Sequence, residues 1–252
     1  MQLLLLSNSS SPEGYLTHAL PDIRAWAGTA RAELLFVPYA GVTRQWDDYE
    51  TLVRDALEPT GLGVRSLHRV QDRGAALQAI ARATHIAVGG GNTFALVRHL
   101  RQSGQLQAIA ERVRGGARYL GWSAGSNITC PTLCTTNDMP IVDPEGFATM
   151  GLLPFQINAH YTDAHPEGHR GETRQQRLRE FAVCNPGIPV LGLPEGSGLR
   201  VDGDGFQLIG TTDLRARWFT DQSDPAMLPM GPWVPSPMPG EGAPSERRET
   251  QQ

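Results

Sequence analysis

The sequence predicts an α/β fold, a three-layer sandwich with a mostly parallel central sheet, and three observations carry that reading. Short apolar runs at residues 3–6, 33–37, 85–88 and 118–120 have the length and composition of buried strands. Each is followed by a turn signal and then by helically spaced apolar residues, the alternation that builds parallel strands with covering helices. At 252 residues the chain is also long enough to bury one substantial core.

The elements follow in order. Leu3-Leu4-Leu5-Leu6 is a continuous apolar run and suits a first strand covered on both faces. It lacks a basic flank and is too short for a signal peptide or a membrane span. Residues 49–57 place Tyr49, Leu52, Val53 and Leu57 on one helical face. The run at 85–88 ends in Gly89-Gly90-Gly91, after which residues 95–100 and 106–113 carry helical spacing. Beyond the strand at 118–120, residues 155–158 and 189–193 read as further strands, with a polar amphipathic helix over 172–182 between them. Runs at 198–201 and 206–209 form a hairpin around Asp202-Gly203-Asp204-Gly205. Residues 1–222 are therefore expected as one α/β domain. Residues 223–252, with seven prolines from Asp224 onward and no apolar periodicity, are expected as a poorly ordered tail.

Composition narrows the partners. With 22 basic and 26 acidic residues, a net charge of −4 and no basic run, the chain offers no electrostatic footprint for nucleic acid or an anionic membrane. A small molecule is the expected partner. Three cysteines, Cys130, Cys134 and Cys184, give no disulfide framework and suit a reducing cytoplasm. Cys130 and Cys134 lack a second Cys or His pair, so no metal is expected.

The chemistry concentrates in Gly121-Trp122-Ser123-Ala124-Gly125, which follows a strand and reads as a nucleophile elbow. In such a turn the serine is held in strained geometry, and the residues two before and two after it crowd together, so glycine is required at both. Ser123 is the candidate nucleophile, and the N–H of Ala124 points where an oxyanion would form. Gly89-Gly90-Gly91-Asn92-Thr93 fails the Gly-x-Gly-x-x-Gly dinucleotide spacing, but an N–H of Gly90 or Gly91 is suited to join Ala124 in an oxyanion hole.

A serine hydroxyl needs a base, and the base needs an orienting group. Among seven histidines, His160 stands out because it emerges at the C-terminal edge of a strand, where sites collect in α/β sheets; His165 and His169, in a Pro/Gly-rich loop, remain alternatives. For the orienting carboxylate, Asp138 and Glu195 are both open on sequence alone.

Taken together, Gly-Gly-Gly-Asn-Thr-Phe at 89–94, Gly-Trp-Ser-Ala-Gly-Ser-Asn at 121–127, Cys-Thr-Thr-Asn-Asp-Met-Pro-Ile-Val-Asp-Pro at 134–144 and Pro-Glu-Gly-His-Arg-Gly-Glu-Thr-Arg at 166–174 resemble the bacterial aspartyl dipeptidase family, dipeptidase E. The resemblance spans about residues 1–215. It implies a fold similar to class I glutamine amidotransferases and a serine peptidase that releases N-terminal aspartate from small dipeptides without metal or cofactor, as a homodimer. It assigns Ser123 as nucleophile and His160 as base, and it carries both Asp138 and Glu195 as the third member. Glu195 is favoured physically, because a position just past a core strand is rigid. Selectivity for aspartate requires a cation. Arg174 in Gly-Glu-Thr-Arg is the leading candidate and Arg170 the second, with Asn92 and Thr93 as further substrate contacts. A cyanophycinase-like hydrolase of aspartyl linkages and a non-enzymatic Rossmann-like binding module are the competing functions.

Overall fold

The first strand shows why the sheet forms where it does. In this computed structural model, which describes all residues except 29–31, 165–167, 169, 222 and 237–252, β1 (Gln2–Leu6) sends Leu3 and Leu5 into one core and Leu4 and Leu6 into another. Successive strand residues face opposite sides, so a strand covered on both faces must be apolar throughout.

Around it the chain lays down β2 (Ser10–Ser11) and β3 (Gly14–Tyr15), α1 (Leu20–Ala27), β4 (Glu33–Val37), α2 (Trp46–Leu57), β5 (Gly63–Ser66), α3 (Arg73–Arg82) and β6 (His85–Val88). Next come α4 (Thr93–Gln102), α5 (Gln105–Arg114), β7 (Arg118–Trp122), the single turn α6 (Ala124–Asn127) and β8 (Gln156–Tyr161). The remainder is α7 (Arg174–Cys184), β9 (Val190–Pro194), β10 (Gly198–Asp202), β11 (Gly205–Ile209), β12 (Arg215–Phe219), β13 (Ala226–Pro229) and β14 (Gly231–Trp233).

An eight-stranded sheet runs in the order β14-β11-β10-β1-β7-β6-β4-β5. Its β1, β7, β6, β4 and β5 are mutually parallel, while β10, β11 and β14 add an antiparallel edge. The protein is thus α/β with a mixed sheet, as expected from a class I glutamine amidotransferase-like fold. A second sheet, β13-β12-β9-β8, carries β8 and β9 in parallel. Helices α1 and α2 contribute to the core on one face of the large sheet, and α3, α4 and α5 to the core on the other. No helix among the described residues is long and apolar enough to cross a membrane.

One expectation needs correction. The tail expected from residue 223 begins as structure: β13 pairs with β12, β14 pairs with β11, and Trp233 packs edge-on against Trp218 at 4.9 Å and Phe155 at 5.7 Å. Prolines at both ends of this segment mask a strand signal, and Pro232 is tolerated because β14 lies at the sheet edge. Residues 237–252 lie outside the described residues. Sequence reasoning also passes over α1, β5 and α3. Strand β5 is an edge with one buried residue, and α3 buries only Ala76 and Ile80, so neither has a strong apolar period.

Candidate active site

Ser123 sits directly after β7 with φ +52° and ψ −114°, a backbone conformation that non-glycine residues avoid. The turn is held because its neighbours leave no alternative. A Cβ on Gly121 would lie 2.6 Å from the Gly125 carbonyl oxygen, and one on Gly125 would lie 2.0 Å from that of Val88. Ser123 N–H donates to the Leu6 carbonyl at 3.1 Å, which ties the elbow to the end of β1.

His160 comes from the other sheet. The register of β8 against β9 breaks between Asn158 and Tyr161, and in this bulge His160 takes φ +54°. A bulge re-aims one side chain without moving its strand, and here it turns the imidazole to Ser123. The Ser123 hydroxyl donates to His160 Nε2 at 3.0 Å, and His160 Nδ1–H donates to Glu195 Oε1 at 2.7 Å. Glu195 stands in a tight turn after β9, closed by Ser197 N–H to the Pro194 carbonyl at 3.2 Å and passing through Gly196 at φ +78°. Its carboxylate is 65% exposed, so water weakens the Coulombic attraction and direction, more than charge, is what this bond supplies.

Two residues beyond β1 clasp these parts together. Buried Ser7 accepts from the His160 N–H at 2.8 Å and donates to the Leu193 carbonyl at 2.8 Å. The Asn8 side-chain oxygen accepts from Gly196 N–H at 2.8 Å, beside Glu195. Sequence reasoning missed both, although polar residues just past the C-terminal end of a central parallel strand are the signal that finds them.

The glycine loop packs onto the serine: a Cβ on Gly90 would come within 3.1 Å of Ser123 Cβ. Gly91 has φ +139° and no room for a side chain, its Cβ position being 2.1 Å from the Ala40 carbonyl oxygen. Tyr49 donates to the Gly90 carbonyl at 3.0 Å and accepts from Trp122 Nε1 at 3.1 Å. Burial raises the Tyr49 hydroxyl pKa well above its usual value, with Tyr15 adding to the effect, so this buttress stays neutral. Because carbonyl and N–H point oppositely across a trans peptide, fixing the Gly90 carbonyl on Tyr49 turns the Gly91 N–H the other way. Ala124, the first residue of α6, has an N–H for which no preceding helical turn supplies an acceptor.

The other expected residues divide. Asp138 does not meet His160. Its carboxylate accepts from Thr93 N–H at 2.7 Å, Thr93 Oγ1 at 2.5 Å and Thr136 Oγ1 at 3.1 Å, a position where an anion complements the N-terminus of α4. Thr93 is fully buried with its N–H and hydroxyl committed to Asp138, so it presents neither group to a ligand. Asn92 caps α4 through Ala95 N–H at 3.0 Å and donates to the Met139 carbonyl at 2.8 Å. Arg174 opens α7, half-buried near Tyr161; burial lowers its pKa, Arg177 adds to that, and its Nη1 has no hydrogen-bond partner among the described residues. Arg170 is exposed. His165 and His169 lie outside the described residues. Cys130 is buried with its sulfur accepting from Ile157 N–H, while Cys134 is exposed.

A cavity of about 570 Å³ opens over Ser123 and His160. Its walls come mainly from the C-terminal ends of parallel strands: Ser9 and Ser10 after β1, Ala40 to Arg44 after β4, and Gly90 to Asn92 after β6. Arg44 is a wall residue that sequence reasoning does not single out. Its guanidinium lies 5.0 Å from the centre of the Tyr49 ring, and among the described residues it has no ion pair or hydrogen bond. A strained serine bonded to an oriented imidazole, beside backbone N–H groups, is the apparatus of acyl transfer.

Comparison with known proteins agrees in kind. Residues 3–209 match the model of peptidase family S51. The chain is 52% identical over 211 residues to Peptidase E of Salmonella arizonae and, equally, to that of Salmonella typhimurium, covering 83% of this chain and 90% of each relative. Among solved structures, a candidate peptidase E of Listeria monocytogenes superposes with a TM-score of 0.66 at 22% identity, covering 83% of this chain and 98% of the other. A peptidase from an acI-B1 actinobacterium gives 0.65 at 15%, covering 91% and 94%. These two likenesses concern the fold.

Proposed function

The chain belongs to peptidase family S51 and is a serine-type dipeptidase acting on Asp-Xaa dipeptides, and we propose that it works through an acyl-enzyme on Ser123 with His160 as base and Glu195 orienting it. The hydrogen-bonded chain from Ser123 through His160 to Glu195 is the observation that carries this reading. His160 takes the hydroxyl proton as Ser123 Oγ attacks the peptide carbonyl. The N–H groups of Ala124 and of Gly91 or Gly90 stabilise the oxyanion. As the C–N bond breaks, the imidazolium returns its proton to the amine of the leaving residue. Water then attacks the aspartyl ester by the same route in reverse.

Arg174 holds the aspartate side chain in this reading, with Arg170 as the second candidate; the Arg174 Nη1, without a hydrogen-bond partner among the described residues, supports the choice. Asp138 and Asn92 serve the site by shaping the loop and the start of α4. Three free thiols support a cytoplasmic setting, and the resemblance supports a homodimer, which sedimentation velocity tests. Incubation of purified protein with Asp-Leu, Asn-Leu and a longer Asp-initiated peptide tests the activity. Rapid release of aspartate from Asp-Leu alone is expected, and Ser123→Ala lowers kcat by roughly 10⁴- to 10⁶-fold with the fold intact. A variant within tenfold of the parent overturns the nucleophile.

A further inference from the structure

Beyond the reacting atoms, an Asp-Xaa dipeptide brings two carboxylates into the site, one on the aspartate side chain and one at its C-terminus. Burying either without a cation costs several kcal/mol or forces its neutralisation. Arg174, at the start of α7, lies near Tyr161, one residue past His160. A second guanidinium stands on the large sheet, where Arg44 lines the cavity that holds Ser123 and His160. Charged side chains of surface loops commonly pair with acids or backbone carbonyls. Arg44 does neither among the described residues; only the face of Tyr49 supports it, which leaves its N–H fork open for a bidentate partner.

Its surroundings say which carboxylate it meets. The wall of the same cavity includes Val42, in the loop of Arg44, and Ile141, and both are large apolar side chains left exposed, at 57% and 49%. A free carboxylate attached to a residue with an apolar side chain is the chemistry of the leaving residue in Asp-Leu. The aspartyl residue has no apolar side chain to place there. Resting on the dipeptidase reading above, we propose that Arg44 is the specificity-determining residue that binds the C-terminal carboxylate of the dipeptide, with Val42 and Ile141 receiving the side chain of the leaving residue. Arg44 thereby acts as a length gauge. A tripeptide puts a neutral amide against the guanidinium and carries its carboxylate past it.

Comparing Asp-Leu with Asp-Leu-amide isolates this contact, since the two differ only at the C-terminal group. In the parent, kcat/KM for Asp-Leu exceeds that for the amide. In Arg44→Gln the ratio falls by roughly 10- to 150-fold, the usual worth of a hydrogen bond to a charged group, with the loss in KM for Asp-Leu. Arg44→Lys, which keeps the charge but not the fork, recovers part of the ratio. An unchanged ratio, whether both substrates lose equally or neither loses, overturns the assignment of Arg44 while leaving the dipeptidase reading in place. A parent that releases no aspartate from Asp-Leu overturns that reading itself, and this inference with it.

Discussion

The large sheet and the small one contribute unlike halves of the site. The large sheet supplies the proposed nucleophile, and it does so through sterics: Ser123 is fixed by glycines that admit no side chain and by strands buried on both faces. From the small sheet come the proposed base and its proposed orienting acid, and there the means is hydrogen bonding. His160 is aimed by a bulge, Glu195 by a turn, and both side chains remain partly exposed. The seam is Ser7 and Asn8, which reach from the large sheet to both partners. The difference teaches that the serine is preorganised by packing and the imidazole by a few replaceable bonds, so substitutions should grade in effect from one half to the other.

The largest separation should come from the two carboxylates. Glu195→Gln leaves the shape of the turn but replaces a group that only accepts with an amide whose NH2 can face His160 and favour the wrong tautomer, and kcat should fall by roughly 10³- to 10⁴-fold. Asp138→Asn acts on the large sheet, at the start of α4. There it should retain kcat within about tenfold and instead lower stability by about 0.5–2 kcal/mol, the range for a cap or an anion at a helix N-terminus. Steady-state kinetics beside urea denaturation of both variants checks the ranking. Reversal of the two would move the orienting role to Asp138 and break the division between the sheets.

What sequence could reveal follows the same division. Runs buried on both faces, β1, β4, β6 and β7, are legible because they are apolar throughout, and the elbow is legible because its glycines are sterically compulsory. His160 was one of three candidates on spacing, because a bulge leaves no mark in the residue order. The choice between Asp138 and Glu195 depends on which turn folds back to which strand, a tertiary fact. Arg44 carried no signal at all. An arginine in a loop reads as solvated until the cavity it lines is seen.

The seam offers a finer test. Ser7→Ala leaves the His160 N–H and the Leu193 carbonyl without this partner, in a buried position where an unmet polar group costs about 1–3 kcal/mol. If Ser7 only stabilises, the urea midpoint falls and kcat holds. If it also aims His160, kcat falls several-fold at temperatures where the variant is fully folded, while KM for Asp-Leu changes little. Restoration of kcat by Ser7→Thr, which keeps the hydroxyl, would assign the loss to the hydrogen bonds.

The smallest expected effect concerns histidines that the chemistry does not use. At the start of β6 in the large sheet, buried His85 bonds the Ala27 carbonyl at 3.1 Å through Nε2 and the Thr84 hydroxyl at 3.0 Å through Nδ1, edge-on to Trp26. Desolvation lowers its pKa; the Ala27 carbonyl opposes that shift and Arg118 reinforces it. His18 and His99 are lowered by burial in the same way. When a folded-state pKa lies below the unfolded value near 6.5, the unfolded chain binds the proton first as pH falls. The stabilisation is therefore complete above about pH 6.5 and is lost as pH drops toward the folded pKa. Between pH 7.5 and 5.5 the loss is bounded at about 1.4 kcal/mol per histidine, since only one unit of that interval lies below 6.5. Most carboxylates stay ionised across the same window. Urea midpoints should fall from pH 7.5 to 5.5 in the parent and fall less in His85→Phe, whose ring does not titrate. A steeper fall in the variant would mean that His85 binds its proton more readily folded than unfolded, against the direction that its burial sets.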